Sequence, residues 1–256
     1  MREAPVTPNG DRIRWVELPG AEPARLYLHG LGATSPAYFA AAAVHPRLAG
    51  RRSLLLDLLG FGLSDRPTDF GYTLEEHADA VAAAVAAAGP DRVEVVGHSM
   101  GGAVAIVLAQ RHPGLVERLL LVDANLDRID LGRRNPGSSG IAAYTEEEFL
   151  AGGRDEVAER VGPFWWSTMR LAGPEAVYRS ARHLARATVP TMREMLLGLD
   201  LPRTFLHPEA DGEPAGADAL RAAGVRVVAV PDCGHNIMLD NPDGFAAAAA
   251  EALGQG

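Results

Sequence analysis

The chain of 256 residues carries 24 basic and 33 acidic residues, a formal net charge of −9, with 47% hydrophobic and 22% charged residues. Those proportions describe a globular chain able to form one α/β domain, and the negative charge argues against a nucleic-acid partner or docking on anionic lipid. Residues 1–10 lack the apolar core of a signal peptide, no apolar run reaches membrane-span length, and the lone Cys233 excludes an internal disulfide, so a cytoplasmic location is expected.

Residues 12–18 alternate apolar and polar side chains, as an exposed edge strand or hairpin arm does. A second strand spans 24–30 and ends in His29-Gly30-Leu31-Gly32. A third, 52–57, is built on Leu54, Leu55 and Leu56 and runs into a D-x-x-G-x-G-x-S pattern from Asp57 to Ser64. Thr73 and Glu76 make a capping box that opens an Ala-rich helix, which Gly89 and Pro90 close. A short β-branched stretch from Val93 then enters Gly97-His98-Ser99-Met100-Gly101 and passes straight into the apolar helical run 103–109, closed by Pro113 and Gly114. Residues 116–122 read as a buried strand ending at Asp123. The strand–helix alternation from 24 to 122 predicts a parallel sheet with helices on both faces.

From 126 to 199 the strand pattern stops. A polar, glycine-rich piece at 133–140 precedes short helical pieces at 145–150, 155–161, 163–171, 174–187 and 190–197, with a capping box from Thr145 to Glu148. Strands resume at 203–207 and 225–230, a helix at 217–223 between them, and an Ala-rich helix follows Pro242.

The chemistry centres on residues 97–101. A strand, Gly-x-Ser-x-Gly and a helix in that order describe a nucleophile elbow. The serine stands at the tip of a strained turn, the glycines leave room for it, and the helix amides behind it favour negative charge. Ser99 is therefore the candidate nucleophile, a phosphate-cradling glycine loop being the other structure such residues build. His45, His77, His112 and His183 are isolated, so neither a metal nor another cofactor is expected, and no base is assigned to Cys233, which reads as a buried spectator.

On these motifs the whole chain resembles the α/β-hydrolase family. The resemblance implies an α/β fold with a mostly parallel central sheet of about 7–8 strands flanked by helices. It also implies a core of residues 1–125 and 200–256, with a helical cap, 126–199, inserted after the sixth strand and lying over Ser99 as a lid. His29-Gly30 matches the start of the family's oxyanion loop, so the N–H groups of Leu31 and Met100 are implied as the oxyanion hole. His29, Gly30 and His98, which flank that hole and the nucleophile, join the candidate substrate contacts. Gly234-His235, after the last strand and before the final helix, matches the loop of the catalytic base. The D-x-x-G-x-G-x-S stretch matches a loop that is mostly structural in the family, with Asp57, Asp65 and Arg66 bracing it.

Two positions compete for the acid that would orient His235. Asp211 holds the usual place after the seventh strand, although Pro208 replaces the turn glycine; Asp123 holds the alternative place after the sixth. Chain order leaves both open. Phe164, Trp165, Trp166, Met169, Met192 and Met195 either line a substrate pocket or pack the lid against the core, and that too stays open.

The expected function is a cofactor-free serine hydrolase of a small, partly hydrophobic organic molecule, cleaving an ester, a thioester or a carbon–carbon bond. A serine nucleophile speaks against the haloalkane dehalogenase and epoxide hydrolase branches, where an aspartate is expected. Two rivals remain: a biosynthetic enzyme using the same residues for acyl transfer, lactonisation or elimination, and a non-catalytic ligand receptor on the same scaffold. The partner is a small-molecule substrate; whether the chain forms a homodimer is left open.

Overall fold

The structure, a computed structural model, describes residues 1–128, 138–186 and 188–254. Strands β1 (Arg2–Pro5), β2 (Arg12–Leu18) and β3 (Ala21–Leu28) precede helix α1 (Ser35–Ala43). Then β4 (Arg51–Asp57), α2 (Leu74–Ala88), β5 (Val93–His98), α3 (Met100–Arg111) and β6 (Val116–Val122) alternate. Helices α4 (Ser138–Ala142), α5 (Glu146–Glu148), α6 (Arg154–Arg160), α7 (Pro163–Met169), α8 (Pro174–Arg186) and α9 (Met192–Gly198) follow, with a π-helical turn at Phe149–Gly153 between α5 and α6. The chain closes with β7 (Arg203–Pro208), α10 (Ala217–Ala222), β8 (Val225–Val230), α11 (Ile237–Asp240) and α12 (Pro242–Ala252).

All eight strands form one sheet in the order β1-β2-β4-β3-β5-β6-β7-β8. The first two are antiparallel to their neighbours and the remaining pairs are parallel. Predicted strand 12–18 is indeed a hairpin arm, but β1 takes the edge; β1 is four residues long and is held by its register on β2, a signal absent from its own sequence. The predicted alternation has a direct physical cause. Leu54, Leu56, Val95, Leu119 and Leu121 face one side of the sheet, while Leu55, Val96, Leu120 and Val122 face the other, so both faces are apolar and both must be covered. Helices α2 and α3 cover the first face; α1, α11 and α12 cover the second. Helix α1 has no amphipathic stripe to announce it, and Thr34 caps it, accepting a hydrogen bond from the Ala37 N–H.

Between β6 and β7 every regular element among the described residues is helical, matching the expected interruption of the strand rhythm. Residues 133–137 of the polar piece and residue 187 of predicted helix 174–187 lie outside the described residues. The helical segment is seated on the core by polar contacts along α8. Ser180 meets Nε2 of His77 on α2 at 3.0 Å, the Leu74 N–H at the start of α2 donates to Nδ1 of His183, and Arg179 donates to the carbonyls of Thr68 and Phe70.

Two buried polar features make measurable demands on the fold. Arg25 and Glu94, register partners on β3 and β5, are both buried and form an ion pair of 3.1 Å. Removing one partner strands a charge away from water, whereas replacing both removes the desolvation cost as well. Glu94→Ala is therefore expected to lower unfolding free energy by about 3–5 kcal/mol, while the double variant Arg25→Met, Glu94→Leu stays within about 1–2 kcal/mol of wild type in urea titrations. Equal losses in both would show that packing, not charge, dominates there.

His77 is fully buried, and burial lowers its imidazole from 6.5 to about 3. Between those values the unfolded chain takes up a proton that the folded chain refuses, so stability is complete above pH 6.5 and falls as pH drops toward 3. The slope from this residue is about 1.4 kcal/mol per pH unit. Burial also lowers His29 and His98, which add to the slope. Denaturation between pH 7.5 and pH 5 should show a flatter dependence in His77→Gln; an unchanged slope would assign the acid sensitivity elsewhere.

Candidate active site

The strands that run parallel end on the same side, and the residues just beyond their ends make the site. Helix α3 packs so closely on β5 and β3 that a Cβ on Gly97 would stand 2.6 Å from the Gly101 carbonyl oxygen, and one on Gly101 would stand 2.3 Å from the carbonyl oxygen of Leu28 at the end of β3. With no room to separate strand from helix, the chain reverses at one residue. Ser99 takes φ 52° and ψ −119°, a conformation that costs a residue with a side chain of order 1–3 kcal/mol. Its N–H is fixed on the Val122 carbonyl at 3.0 Å, and the first N–H of α3, that of Met100, lies in the turn of amides left without intrahelical partners.

The next strand ends in a second left-handed residue. Asp123 has φ 43°, its N–H donates to Leu206, and its carboxylate Oδ2 accepts from Nδ1 of His235 at 2.6 Å. A carboxylate can only accept here, so Nδ1 carries the proton and Nε2 is the nitrogen free to act as a base. His235 follows β8, and its side chain is 53% exposed against 28% for Asp123. The other acid candidate makes no hydrogen bond to His235. Strand β7 runs on through Pro208, which is in register with Val230, and Asp211 is carried into an exposed turn at Glu209–Asp211. Among the described residues its carboxylate has no hydrogen-bond partner.

Ser99 Oγ donates to Oδ1 of Asn125 at 3.3 Å, and no hydrogen bond joins it to His235 in this geometry. Asn125, just past Asp123, went unassigned in the sequence because no motif marks it; its position beside the end of β6 was the only signal. The oxyanion-loop candidates close on the elbow: a Cβ on Gly30 would lie 3.2 Å from Cβ of Ser99 and 3.0 Å from Nδ1 of His98. Leu31 is buried, and its carbonyl accepts from Nε1 of Trp165 at 2.8 Å.

Several candidate substrate contacts have their polar atoms engaged elsewhere. His29 is fully buried; the Leu58 N–H donates to its Nε2 and its Nδ1 donates to the Gly30 carbonyl, so the ring braces the loop and offers no nitrogen to a substrate. His98 is buried and its Nε2 lies 2.9 Å from the His235 carbonyl. Met169, Met192 and Met195 are buried in the main apolar core, Trp165 and Trp166 pack partly buried against it, and Phe164 stays 51% exposed with its ring on Tyr38. All three methionines therefore pack the helical segment on the core, and Met192 also lines a small cavity with Asn125 and Leu126. Asp57 accepts from the N–H groups of Ser35 and Leu63, and Arg66 donates to the Leu171 and Gly62 carbonyls, so the loop after β4 is tied down by its own charged residues. Burial first, then the nearby carboxylates of Asp240 and Asp123, raises the Cys233 thiol, keeping it protonated. Among the described residues no three His, Cys, Asp or Glu side chains converge as metal ligands would, and no helix is long and apolar enough to cross a membrane.

The model of the alpha/beta hydrolase fold matches residues 25–165. A 2-hydroxymuconate semialdehyde hydrolase of Pseudomonas sp. (strain CF600) is 38% identical over 98 residues, covering 38% of this chain and 35% of its own. An uncharacterized protein of Mycobacterium tuberculosis is 38% identical over 112 residues, 43% of this chain and 32% of that one. The matched stretch is about a third of the length of these curated relatives. Among solved structures, an esterase from Exiguobacterium antarcticum superposes with a TM-score of 0.78 at 19% identity, covering 98% of both chains. The meta-cleavage product hydrolase CumD of Pseudomonas fluorescens IP01 does so with 0.68 at 20% identity, covering 100% of this chain and 98% of its own. The eight-stranded sheet, its strand order and the match over residues 25–165 agree: the chain belongs to the alpha/beta hydrolase fold family.

Proposed function

We propose that the chain is a serine hydrolase in which Ser99 is the nucleophile, His235 the base and Asp123 the acid. The observation that carries this reading is the 2.6 Å contact of Asp123 with Nδ1 of His235, made beside a serine held at φ 52° on the neighbouring strand end. Asp123 fixes the tautomer in which Nε2 is unprotonated and stabilises the cation formed when that nitrogen takes the serine proton. For this the Ser99 hydroxyl leaves Asn125 and turns to Nε2. Oγ then attacks the substrate carbonyl, and the N–H groups of Leu31 and Met100 hold the oxyanion, donors fixed before the charge appears. Nε2–H returns its proton to the leaving group, and water, activated by the same nitrogen, releases the acyl group and restores Ser99.

The helical segment 126–199 acts as the cap of this site, with Trp165 on the Leu31 carbonyl and Phe164 on Tyr38 as its contacts. Their apolar surface suits a small substrate with a hydrophobic body. Ester or thioester cleavage is the first reading, and carbon–carbon bond hydrolysis uses the same residues; the structural neighbours named above are titled an esterase and a meta-cleavage product hydrolase. Acyl transfer needs water kept away from the acyl enzyme, and a base with 53% of its side chain exposed favours hydrolysis instead.

Labelling by a fluorophosphonate probe, read by intact mass, tests the assignment together with p-nitrophenyl ester turnover. Ser99→Ala should abolish both. Asp123→Asn should slow turnover by about 10⁴-fold through the wrong tautomer of His235, and Asp211→Asn should leave it within about twofold of wild type, as for a surface change remote from the chemistry. Wild-type protein that neither labels nor turns over an ester would favour the receptor reading; loss on Asp211→Asn would reverse the choice of acid.

A further inference from the structure

His98 precedes the nucleophile, and its ring lies among three parts of the site. Nε2 stands 2.9 Å from the main-chain carbonyl of His235. The ring centroid is 4.6 Å from that of His235, and Tyr38 stacks at 6.1 Å with planes 28° apart. Nδ1 faces Gly30, whose missing Cβ would approach it to 3.0 Å, and makes no hydrogen bond. A carbonyl oxygen can only accept, so Nε2 carries the proton and Nδ1 is bare. Burial, reinforced by the charge that His235 acquires, holds His98 well below the ordinary imidazole range. It therefore remains a neutral donor beside a residue that becomes cationic in each turnover.

Beyond Val230 the loop carrying His235 has left the sheet: Gly234 N–H to Asp240 and Asn241 to the Pro231 carbonyl tie it between exposed groups, Cys233 is half-buried on the Val230 carbonyl, and Ile237 anchors it in the core, but among these none fixes the main chain of His235 itself. Asp123 restrains one ring nitrogen, about which the imidazole can still swing as its backbone drifts. A second attachment at the main chain of the same residue removes that freedom. We infer that His98 is a positioning residue, whose Nε2–H on the His235 carbonyl sets where the base stands relative to Asp123 and Ser99. This role rests on the Ser99–His235–Asp123 reading for its catalytic meaning, though not for its geometry.

Phenylalanine separates the hydrogen bond from the packing, since it keeps a ring for Tyr38 and loses the donor. His98→Gln restores a donor of similar reach. The expected result for His98→Phe is a thermal midpoint near wild type, kcat on a p-nitrophenyl ester down by about 10- to 100-fold and KM nearly unchanged, as a base displaced by about 1 Å would give. His98→Gln should recover most of the loss. An activity-independent readout is the far-downfield proton resonance of His235 Nδ1–H, assigned by its disappearance in Asp123→Asn: sharp in wild type and His98→Gln, displaced or broadened in His98→Phe. Wild-type kcat and an unmoved resonance in His98→Phe would overturn the inference. Should His98→Phe not fold, His98→Asn, whose shorter amide cannot reach the carbonyl, makes the same comparison. Ester hydrolysis that survives Ser99→Ala would refute the proposed function, while the resonance would still decide the role of His98.

Discussion

The geometry of the site depends on the contact between β5 and α3, where backbone meets backbone. Gly97, Gly101 and Gly102 have no space for a Cβ: the nearest atoms would be the Gly101 carbonyl oxygen, the Leu28 carbonyl oxygen and Cβ of Ala124. The first brings β5 and α3 together about the reversal at Ser99, and the second sets the start of α3 against the end of β3. The third seats the helix on the turn that follows Asp123, so the elbow and the acid-bearing turn are packed as one unit. The relative positions of Ser99 and Asp123 are thereby set by close packing of the helix main chain on Ala124 and by the Ser99 N–H bond to the Val122 carbonyl, in an interior packed too densely to yield.

Much of the fold was legible because it rests on local patterns. The apolar runs of β4, β5 and β6 could only be strands buried on two faces, and the capping boxes at Thr73 and Thr145 announced helix starts that the backbone adopts. What escaped depends on distant partners. β1 exists because β2 offers it an edge, α1 because the apolar second face needs covering, and neither reason is written in the residues that form the element.

The site divides along the same line. Ser99 and His235 stood out since each carries its own context of strand, turn and helix. The acid could not be chosen, because chain order gives no advantage to either carboxylate, and sheet order would even favour Asp211, since β7, which it follows, is the neighbour of β8. Backbone conformation separates them. Continuation of β7 through Pro208 takes Asp211 outward, while the left-handed turn at Asp123 brings its carboxylate to His235. Asn125 was hidden, and His98 stood only among the substrate contacts, for another reason: what they make are single contacts between side chain and neighbour, to which no periodicity points. The methionines of the helical segment could not be sorted into pocket and packing from short helical pieces whose facing surface was unknown.

The left-handed conformation of Asp123 has a consequence for the range of sequences this position can accept. Left-handed backbone penalises most side chains, and aspartate and asparagine are among the few that tolerate it, because a short polar side chain bonds locally. Glutamate would supply the same charge at the wrong backbone cost and one methylene too far out; glycine would supply the conformation with no charge. With Asp123 as the proposed acid, two independent demands, one electrostatic and one steric, therefore intersect on a single amino acid. A carboxylate that meets both has no close substitute within reach of one replacement, so its turn and its chemistry would have to be changed together.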